Sequence, residues 1–468
     1  MDISKIHEHY ENKSFSIFFI SLLQLTLIPL FFYNILHSFS GFGFFTINSN
    51  FINNIQQFSL IPTFLGCFIP LCILVASFCC GLNRNIISFF FSKLVFLTIY
   101  GLIIYLISII SIFFFFFFFL INELFGLKVF YIIIGFIFSF SFIFSLKPII
   151  LGINNFINIK YINRIGVRLD KINHSKIISL INKIAKKIKA IPPKNIIIGL
   201  STDFYVLSKD VKLFNGVEEK LLKGETLYIS IPFLRVLTIK ELEGIIGHEL
   251  AHFSGEDTNY TLKFAPYFRR LTEQFISFDN FLKKSNDQLS KLFSTLSVYP
   301  LIFLYIEFSR KEQKISKIQE LRADKFASEA CGDSKIFINA VCKLYVYDLV
   351  WQNIEKDYYE MVRNKVKNKI KNLSLDFIRT IRSKVDKSQL EVYLKEIYKN
   401  EQKHPSDTHP TIEQRMKNLK VNKKDINNKS LTNFLPSAAS LIDNIDIVEE
   451  NMTLVFNVIA KRENWKID

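Results

Sequence analysis

Charged residues are scarce in the first third of this 468-residue chain, and nearly all of the charge lies after residue 155. The first third consists mainly of Phe, Ile, Leu and Ser, and the whole chain is 50% hydrophobic with 50 Phe residues. Such a chain is too apolar to be wholly soluble and too long for one ordinary domain. The distribution predicts a membrane domain followed by a basic soluble domain.

Cysteine is also sparse, with six residues and no CxxC pair of the kind that binds zinc. The two later ones, Cys331 and Cys342, would stay reduced in a cytoplasmic domain. The net charge of +16 comes from scattered Lys residues, and no nucleic-acid-binding motif accompanies them. We therefore expect the basic excess to favour anionic lipid headgroups, and we expect no nucleic acid as a partner.

Four apolar runs in the first third are each long enough to cross a bilayer, which takes about 20 residues. The polar segment before the first run carries both signs, and that run is longer than a signal-peptide core and lacks a small-residue cleavage site. We therefore expect it to stay as an anchor. The predicted spans are Phe15–Phe39, Phe58–Leu82, Leu94–Ile121 and Val129–Ile150.

Lys and Arg in the short connections predict the orientation of these spans, because positively charged loops stay in the cytoplasm. These residues precede the first span, lie between the second and third, and follow the fourth. The first connection has none, and the third has only Lys128. We therefore expect a multi-pass protein of the cell (inner) membrane, with both termini and the soluble domain in the cytoplasm.

Residues 154–190 are rich in Ile and Lys and predict an amphipathic connecting helix. It would run along or just beneath the membrane surface, and a plain connecting helix is the alternative. Two prolines at 192 and 193 end it, and Asn195–Leu200 predicts a short strand. The chain would thus consist of a membrane domain at 1–153, the connecting helix at 154–190 and a further domain at 191–468.

The stretch TIKELEGIIGHELAHFSG, Thr238–Gly255, predicts one helix with a start signal and a stop signal. Thr238 and Glu241 have the spacing of a capping box, in which each side chain satisfies a backbone donor of the first turn. Gly255 supplies the stop. The rest of the motif lies between these two ends.

Within this helix His248 and His252 lie four residues apart, so both imidazoles project from one face and can bind a single zinc ion. Glu249 would lie beside the open position of the metal, where it can take a proton from a zinc-activated water and pass it to the leaving amine. This HExxH pattern indicates a zinc peptidase. The alternative is a surface helix whose histidines have this spacing by chance.

A zinc site with two histidines needs a third protein ligand. The metzincin pattern would place a histidine six residues after His252, but the chain has Thr258 there. The glutamate-ligand pattern fits Glu320, with Asp324 one turn later to orient a histidine ligand. An ordinary solvated carboxylate is the alternative for Glu320.

The stretch before the HExxH helix alternates like a half-buried strand and stops at Pro232. An extended substrate could add to its free edge through backbone hydrogen bonds. An internal strand with no free edge is the alternative, and both remain open. The residues of this predicted substrate strand are Thr226, Leu227, Tyr228, Ile229, Ser230 and Ile231.

Three stretches recur in the order of a known family: Leu227–Thr258 around GHELAH, ELRADKFA at Glu320–Ala327, and THPTIEQRMKNL at Thr408–Leu419. In them the chain resembles the membrane-bound zinc metallopeptidases of the HtpX and CAAX prenyl protease type, peptidase family forty-eight. The likeness covers roughly residue 191 to the C-terminus. It implies that His248, His252 and Glu320 bind one Zn²⁺ per chain, that Glu249 is the base, and that Asp324 orients a ligand.

The third stretch differs from the family in one respect, because a single proline follows the histidine where the family often has two. A helix cap is predicted at Asp407 or Thr408. If the stretch reaches the cleft, His409 or Arg415 could stabilise the oxyanion of the tetrahedral intermediate. A packed helix start is the alternative.

Another apolar run, Leu292–Phe308, lies between the two zinc motifs and is of borderline length for spanning. An odd number of crossings there would place His252 and Glu320 on opposite sides of the bilayer, where they could not share one metal. We therefore expect a buried or membrane-dipping helix with a kink at Pro300.

The sequence predicts a multi-span α-helical membrane domain followed by a mainly helical α+β zincin-like metallopeptidase domain. The expected function is zinc-dependent endopeptidase activity on polypeptides, including membrane proteins, in quality control or peptide maturation. The alternative is a catalytically inactive membrane scaffold or regulatory protein with a structural zinc site. Glu249 argues against the alternative, because a structural site closes its fourth position and needs no base. The substrate and the oligomeric state stay open.

Overall fold

The computed structural model describes residues 13–41, 49–80, 84–124, 161–207, 210–253, 288–364, 370–385, 387–400 and 410–460. The fourth predicted span, Val129–Ile150, lies outside them, as do Asp407, Thr408 and His409. The chain divides into two compact units, Met1–Ile159 with Tyr260–Ile315, and Lys160–Asn259 with Ser316–Asp468. The stretch between the two zinc motifs thus belongs mainly to the first unit.

The described helices are α1 (Ser14–Gly41), α2 (Ser49–Cys80), α3 (Arg84–Leu124), α4 (Ser175–Lys187), α5 (Ile231–Leu234), α6 (Ile239–Ala251), α7 (Gln288–Cys331), α8 (Ser334–Arg363), α9 (Leu373–Lys384), α10 (Lys387–Asn400), α11 (Ile412–Leu419), α12 (Asn428–Leu431) and α13 (Ile445–Ala460). The described strands are β1 (Ile162–Ile165), β2 (Val167–Arg168), β3 (Asn195–Gly199), β4 (Tyr205–Leu207), β5 (Val211–Phe214), β6 (Glu219–Leu222) and β7 (Thr226–Ser230).

The first unit begins with three long apolar helices, α1, α2 and α3. Three segments in them, Ser14–Ile35, Asn53–Cys79 and Phe89–Phe114, are long and apolar enough to cross a membrane. They coincide with three of the predicted spans. This finding and the mixed helical and stranded second unit confirm the predicted fold class.

The first half of α7 packs among these apolar helices. Phe308 contacts Phe91 with ring centroids 4.6 Å apart, and Phe303 contacts Phe18 at 5.2 Å. Glu307, on the same helix, accepts hydrogen bonds from the hydroxyl of Ser14 in α1 at 2.9 Å and from that of Ser77 in α2 at 3.0 Å. The predicted helix at 292–308 is therefore a buried one, and it continues through its internal proline.

In the described residues of the second unit there are two small sheets, one with the order β1-β5-β6 and one with the order β2-β3-β7-β4. In the second sheet β7 lies parallel to β3 on one side and antiparallel to β4 on the other. The prediction of a free edge on the strand at 226–231 is therefore wrong, and its alternative, an internal strand, is correct. Within the described residues, β4 forms the outer edge on that side.

The alternation in this strand was misleading because two of its three polar side chains are hydrogen-bonded inside the protein. All five residues of β7 are buried. The hydroxyl of Thr226 donates to the carbonyl of Gly224, and the hydroxyl of Tyr228 accepts from the backbone N–H of Ser201. Buried polar groups that are hydrogen-bonded cost little, so the pattern of a half-buried strand occurs here in a fully buried one.

The predicted connecting helix at 154–190 is also corrected, since of its described residues, 161–190, only the last part is helical. The β-branched residues of β1 and β2 pair with β5 and β3, and the helix α4 starts at Ser175. The apolar face of α4, which includes Ile177, Ile181 and Ile184, is buried in the core of the second unit. This face packs against protein, which accounts for the amphipathic pattern without contact with a membrane.

Candidate metal centre and active site

The helix α6 carries the HExxH motif and is fixed at its start. The backbone N–H of Thr238 donates to Glu241 Oε2 at 2.8 Å, and the backbone N–H of Glu241 donates to Thr238 Oγ1 at 3.2 Å, so the predicted capping box is present. The helix ends at Ala251 with His252 as its C-cap, before Gly255 is reached. The second histidine therefore lies at the helix terminus.

A buried lysine also holds the start of α6. Lys343 of α8 donates to Glu241 Oε2 at 2.8 Å and to the carbonyl oxygens of Val236 and Asn433. Burial lowers the pKa of Lys343, and the charge of Glu241 opposes this shift. The sequence analysis missed this residue. Its signal is one cation inside the apolar stretch AVCKLYVYDLV.

Small residues let α6 approach the second half of α7 closely. A Cβ atom placed on Gly247 would lie 2.4 Å from the Cβ of Ala330, and one on Gly244 would lie 3.3 Å from the ring of Phe337. Such distances leave no room for a side chain at Gly247. The close approach brings the histidines of α6 to Glu320 of α7.

His248, His252 and Glu320 form the candidate metal site. The Nε2 atom of His248 lies 3.4 Å from Glu320 Oε2, and the Nε2 atom of His252 lies 3.4 Å from Glu320 Oε1. Nitrogen and oxygen ligands bind tetrahedral zinc at about 2.0 to 2.1 Å, which places neighbouring ligand atoms about 3.3 Å apart. The three residues therefore fit one zinc ion.

Asp324 and Phe337 hold the ring of His248. The Nδ1 atom of His248 lies 3.1 Å from Asp324 Oδ1, which points its Nε2 atom to Glu320. Phe337 stacks on the imidazole with ring centroids 5.7 Å apart. Burial opposes a charge on His248, but the carboxylates of Asp324 and Glu320 outweigh it and raise the pKa of His248 to about 10. The structure thus brings Asp324 to the place that the sequence predicted.

Arg415 joins the same cluster from α11. Its Nη2 atom donates to Glu320 Oε2 at 2.8 Å and its Nη1 atom donates to Asp324 Oδ1 at 2.6 Å, and the side chain is buried. The cap of α11 is Thr411, paired with Gln414, and not one of the two residues predicted. The oxyanion role of Arg415 stays a prediction, as does that of His409, which lies outside the described residues.

A pocket of about 290 Å³ opens onto this cluster. Its lining includes His248, Glu249, Glu320 and Arg415. The predicted substrate strand, 226–231, does not line it, whereas Phe204, just before the edge strand β4, does. The open side of the candidate metal site is therefore this pocket, with Glu249 in its wall.

A helix that presents the two histidines and the glutamate of HExxH, completed by a glutamate from a second helix, defines a metallopeptidase. The model of peptidase family M48 matches residues 210–423, which contain all of these residues. This part of the chain belongs to peptidase family M48, as the resemblance implied. No curated protein matches the chain, and no solved structure does either.

Proposed function

We propose that the protein is an integral membrane zinc endopeptidase with Glu249 as its general base. The observation that carries this proposal is the cluster of His248, His252 and Glu320, in which each imidazole lies 3.4 Å from an oxygen of Glu320, beside a pocket that Glu249 lines. Zinc, when bound, would supply a Lewis acid and activate a water molecule. The family match supports peptide-bond hydrolysis as the reaction.

Three side chains would provide proton transfer, orientation of a ligand and charge balance. Glu249 would accept a proton on its carboxylate and later donate it to the leaving amine. Asp324 would keep the Nδ1 atom of His248 protonated, so that its Nε2 atom is free to bind metal. Arg415 would offset the negative charges of Glu320 and Asp324.

An inactive membrane scaffold with a structural zinc site is the second candidate. A structural zinc site closes all four positions with protein ligands. In the described residues, three candidate ligands meet beside a pocket of about 290 Å³. This arrangement leaves room for a substrate and favours the enzyme.

The test is the substitution Glu249→Gln in the full-length protein. We expect peptide hydrolysis to fall by roughly 10²-fold or more, since general base catalysis contributes about that much, while zinc content stays at one per chain. Both quantities would be measured on the same purified sample. Glu243→Gln, on the same helix and paired with Lys240 at 2.6 Å, is the control. Loss of zinc from the Glu249 variant would make Glu249 a ligand and refute the assignment.

We further propose that the substrates are polypeptides, membrane proteins among them, and that the catalytic unit faces the cytoplasm. The apolar helices support a membrane location. The positively charged connections support the orientation. Quality control of membrane proteins and maturation of a specific peptide are both compatible with this location.

A further inference from the structure

The pocket at the metal site continues along one face of α8. Phe337, Val341, Leu344, Tyr345 and Asp348 all line it, and their spacing of three or four residues places them on one stripe of the helix. The eleven helical steps from Phe337 to Asp348 correspond to a rise of about 16 Å. Because Phe337 stacks on His248, the stripe leads from the metal site towards Asp348.

The carboxylate of Asp348 has an unused acceptor in this pocket. Its Oδ2 atom accepts a hydrogen bond from Gln352 Nε2 at 2.7 Å, whereas its Oδ1 atom is buried and has no hydrogen-bond partner among the described residues. A buried carboxylate oxygen without a donor is costly, which favours a ligand that supplies one. A ligand with a hydrogen-bond donor, preferably a cationic one, would satisfy the Oδ1 atom of Asp348.

The charge around this stripe is negative. Asp203, from the segment before β4, also lines the pocket, and its carboxylate accepts only from Ser201 in the described structure. Neither Asp203 nor Asp348 forms an ion pair with a described residue. The basic side chains among the described lining residues are Arg415 and His248, and both already contact Glu320 and Asp324.

We propose that this stripe is a specificity subsite for a lysine or arginine side chain of the peptide substrate. The proposal rests on the proposed endopeptidase function. Val341 and Leu344 would cover the aliphatic stem, and Asp348 and Asp203 would bind the cationic head. An extended peptide advances by about 3.3 Å per residue, so the basic residue would lie about two to four residues from the scissile bond.

The experiment uses the zinc-loaded, full-length protein in detergent and a set of peptides that differ at one position. Each position within four residues of the scissile bond carries Lys, Met or Glu in turn, and kcat/KM is measured for each peptide. We expect Lys to exceed Met by about tenfold at one position, as for a partly desolvated ion pair. This ratio should fall as ionic strength rises, because salt screens the pair.

Substitutions assign the preference to the subsite. In Asp348→Asn the ratio of Lys to Met should approach one, and in Asp348→Lys the preferred peptide should carry Glu. Asp357→Asn, the same change on the exposed side of α8, is the matched control and should keep the Lys preference. If the Asp348 variants do not fold, Asp203→Asn tests the same charge and should lower the ratio.

The outcomes separate this inference from the proposed function. Hydrolysis with equal rates for Lys and Met peptides, or a Lys preference that survives in Asp348→Asn, would overturn the subsite and leave the endopeptidase intact. Preference for Met at every position would show an apolar subsite and would also overturn it. Failure of the zinc-loaded protein to cleave any peptide would overturn the proposed function together with the subsite.

Discussion

Arg415 places one guanidinium in contact with two buried carboxylates, so one side chain balances both of their charges. Its two terminal nitrogens contact different residues, Glu320 and Asp324, which themselves contact the imidazoles of α6. Burial opposes the charge on Arg415, and the two carboxylates outweigh it, so its pKa is raised. Lysine has one compact head group and could not reproduce this fork.

Arg415→Gln should therefore destabilise the metal-free protein. We expect its free energy of unfolding to fall by roughly 3 kcal/mol or more, because removing one partner leaves buried charges uncompensated. Added zinc should offset part of this loss, since the ion would neutralise Glu320. Unfolding would be measured with and without zinc. Lys417→Gln, exposed on the same helix, is the control.

A different result would indicate a different role for Arg415. If this residue acted only on the oxyanion, kcat would fall while the unfolding of the metal-free and zinc-loaded forms stayed as in the unchanged protein. An equal loss of stability in both forms would show that zinc does not offset the charges of Glu320 and Asp324 when Arg415 is removed. Either result would contradict the charge balance inferred from the structure.

The contact between α6 and α7 shows how two helices assemble the site. Gly247 lies against Ala327 and Ala330 of α7, His248 is the next residue of α6, and Glu320 precedes these two alanines on α7. Protein interiors are packed closely, so a side chain added at such a contact must move a helix. The 3.4 Å separations between the histidines and Glu320 therefore depend on Gly247, which is not itself a candidate ligand.

Gly247→Ala should lower both stability and zinc affinity. The added methyl group would lie 2.4 Å from Ala330 Cβ, and overpacking of this kind costs about 1 to 3 kcal/mol. Thermal unfolding and zinc titration would measure the two effects. Gly244→Ala, whose added carbon would lie 3.3 Å from Phe337, should have a smaller effect. The double variant with Ala330→Gly should recover zinc affinity, and its failure to do so would contradict the packing argument.

Local patterns along α6 could be predicted, and partners from distant segments could not. The capping box and the histidine pair depend on residues three or four apart, so the sequence alone was sufficient. The internal position of β7 depends on pairing with β3 and β4, which the alternation of one strand cannot reveal. Lys343 meets Glu241 across 102 residues, and no spacing rule connects them.

At the scale of the whole molecule, the catalytic unit is not continuous in sequence. Residues 260–315 belong to the unit of apolar helices, although they lie between the HExxH motif and Glu320. The prediction of a buried helix at 292–308 followed from the requirement that both motifs reach one metal. The assignment of this stretch to the first unit could not be predicted, because it depends on contacts with α1, α2 and α3.

The orientation of the catalytic unit across the membrane can be tested by cysteine labelling. A cysteine at Asn48, in the first connection, should react with a membrane-impermeant thiol reagent in intact cells. A cysteine at Lys417, exposed on α11, should react only after the membrane is opened, because the catalytic unit is expected in the cytoplasm. The chain without an added cysteine controls for its six native ones. Labelling at position 417 in intact cells would place the peptidase on the outer face.

The matched family region, 210–423, is smaller than the compact unit that contains most of it. The strand β7 lies inside 210–423, but both of its neighbours, β3 and β4, precede this region. The start of α6 is held by backbone hydrogen bonds from Ile239 to Pro436 and from Ala438 to Leu237, so part of its support follows the region. A fragment limited to 210–423 would lack both strands that pair with β7. It would also lack the backbone hydrogen bonds that hold the first turn of α6. The limits of the family match therefore differ from the limits of the packing and hydrogen bonding that support its central strand and helix.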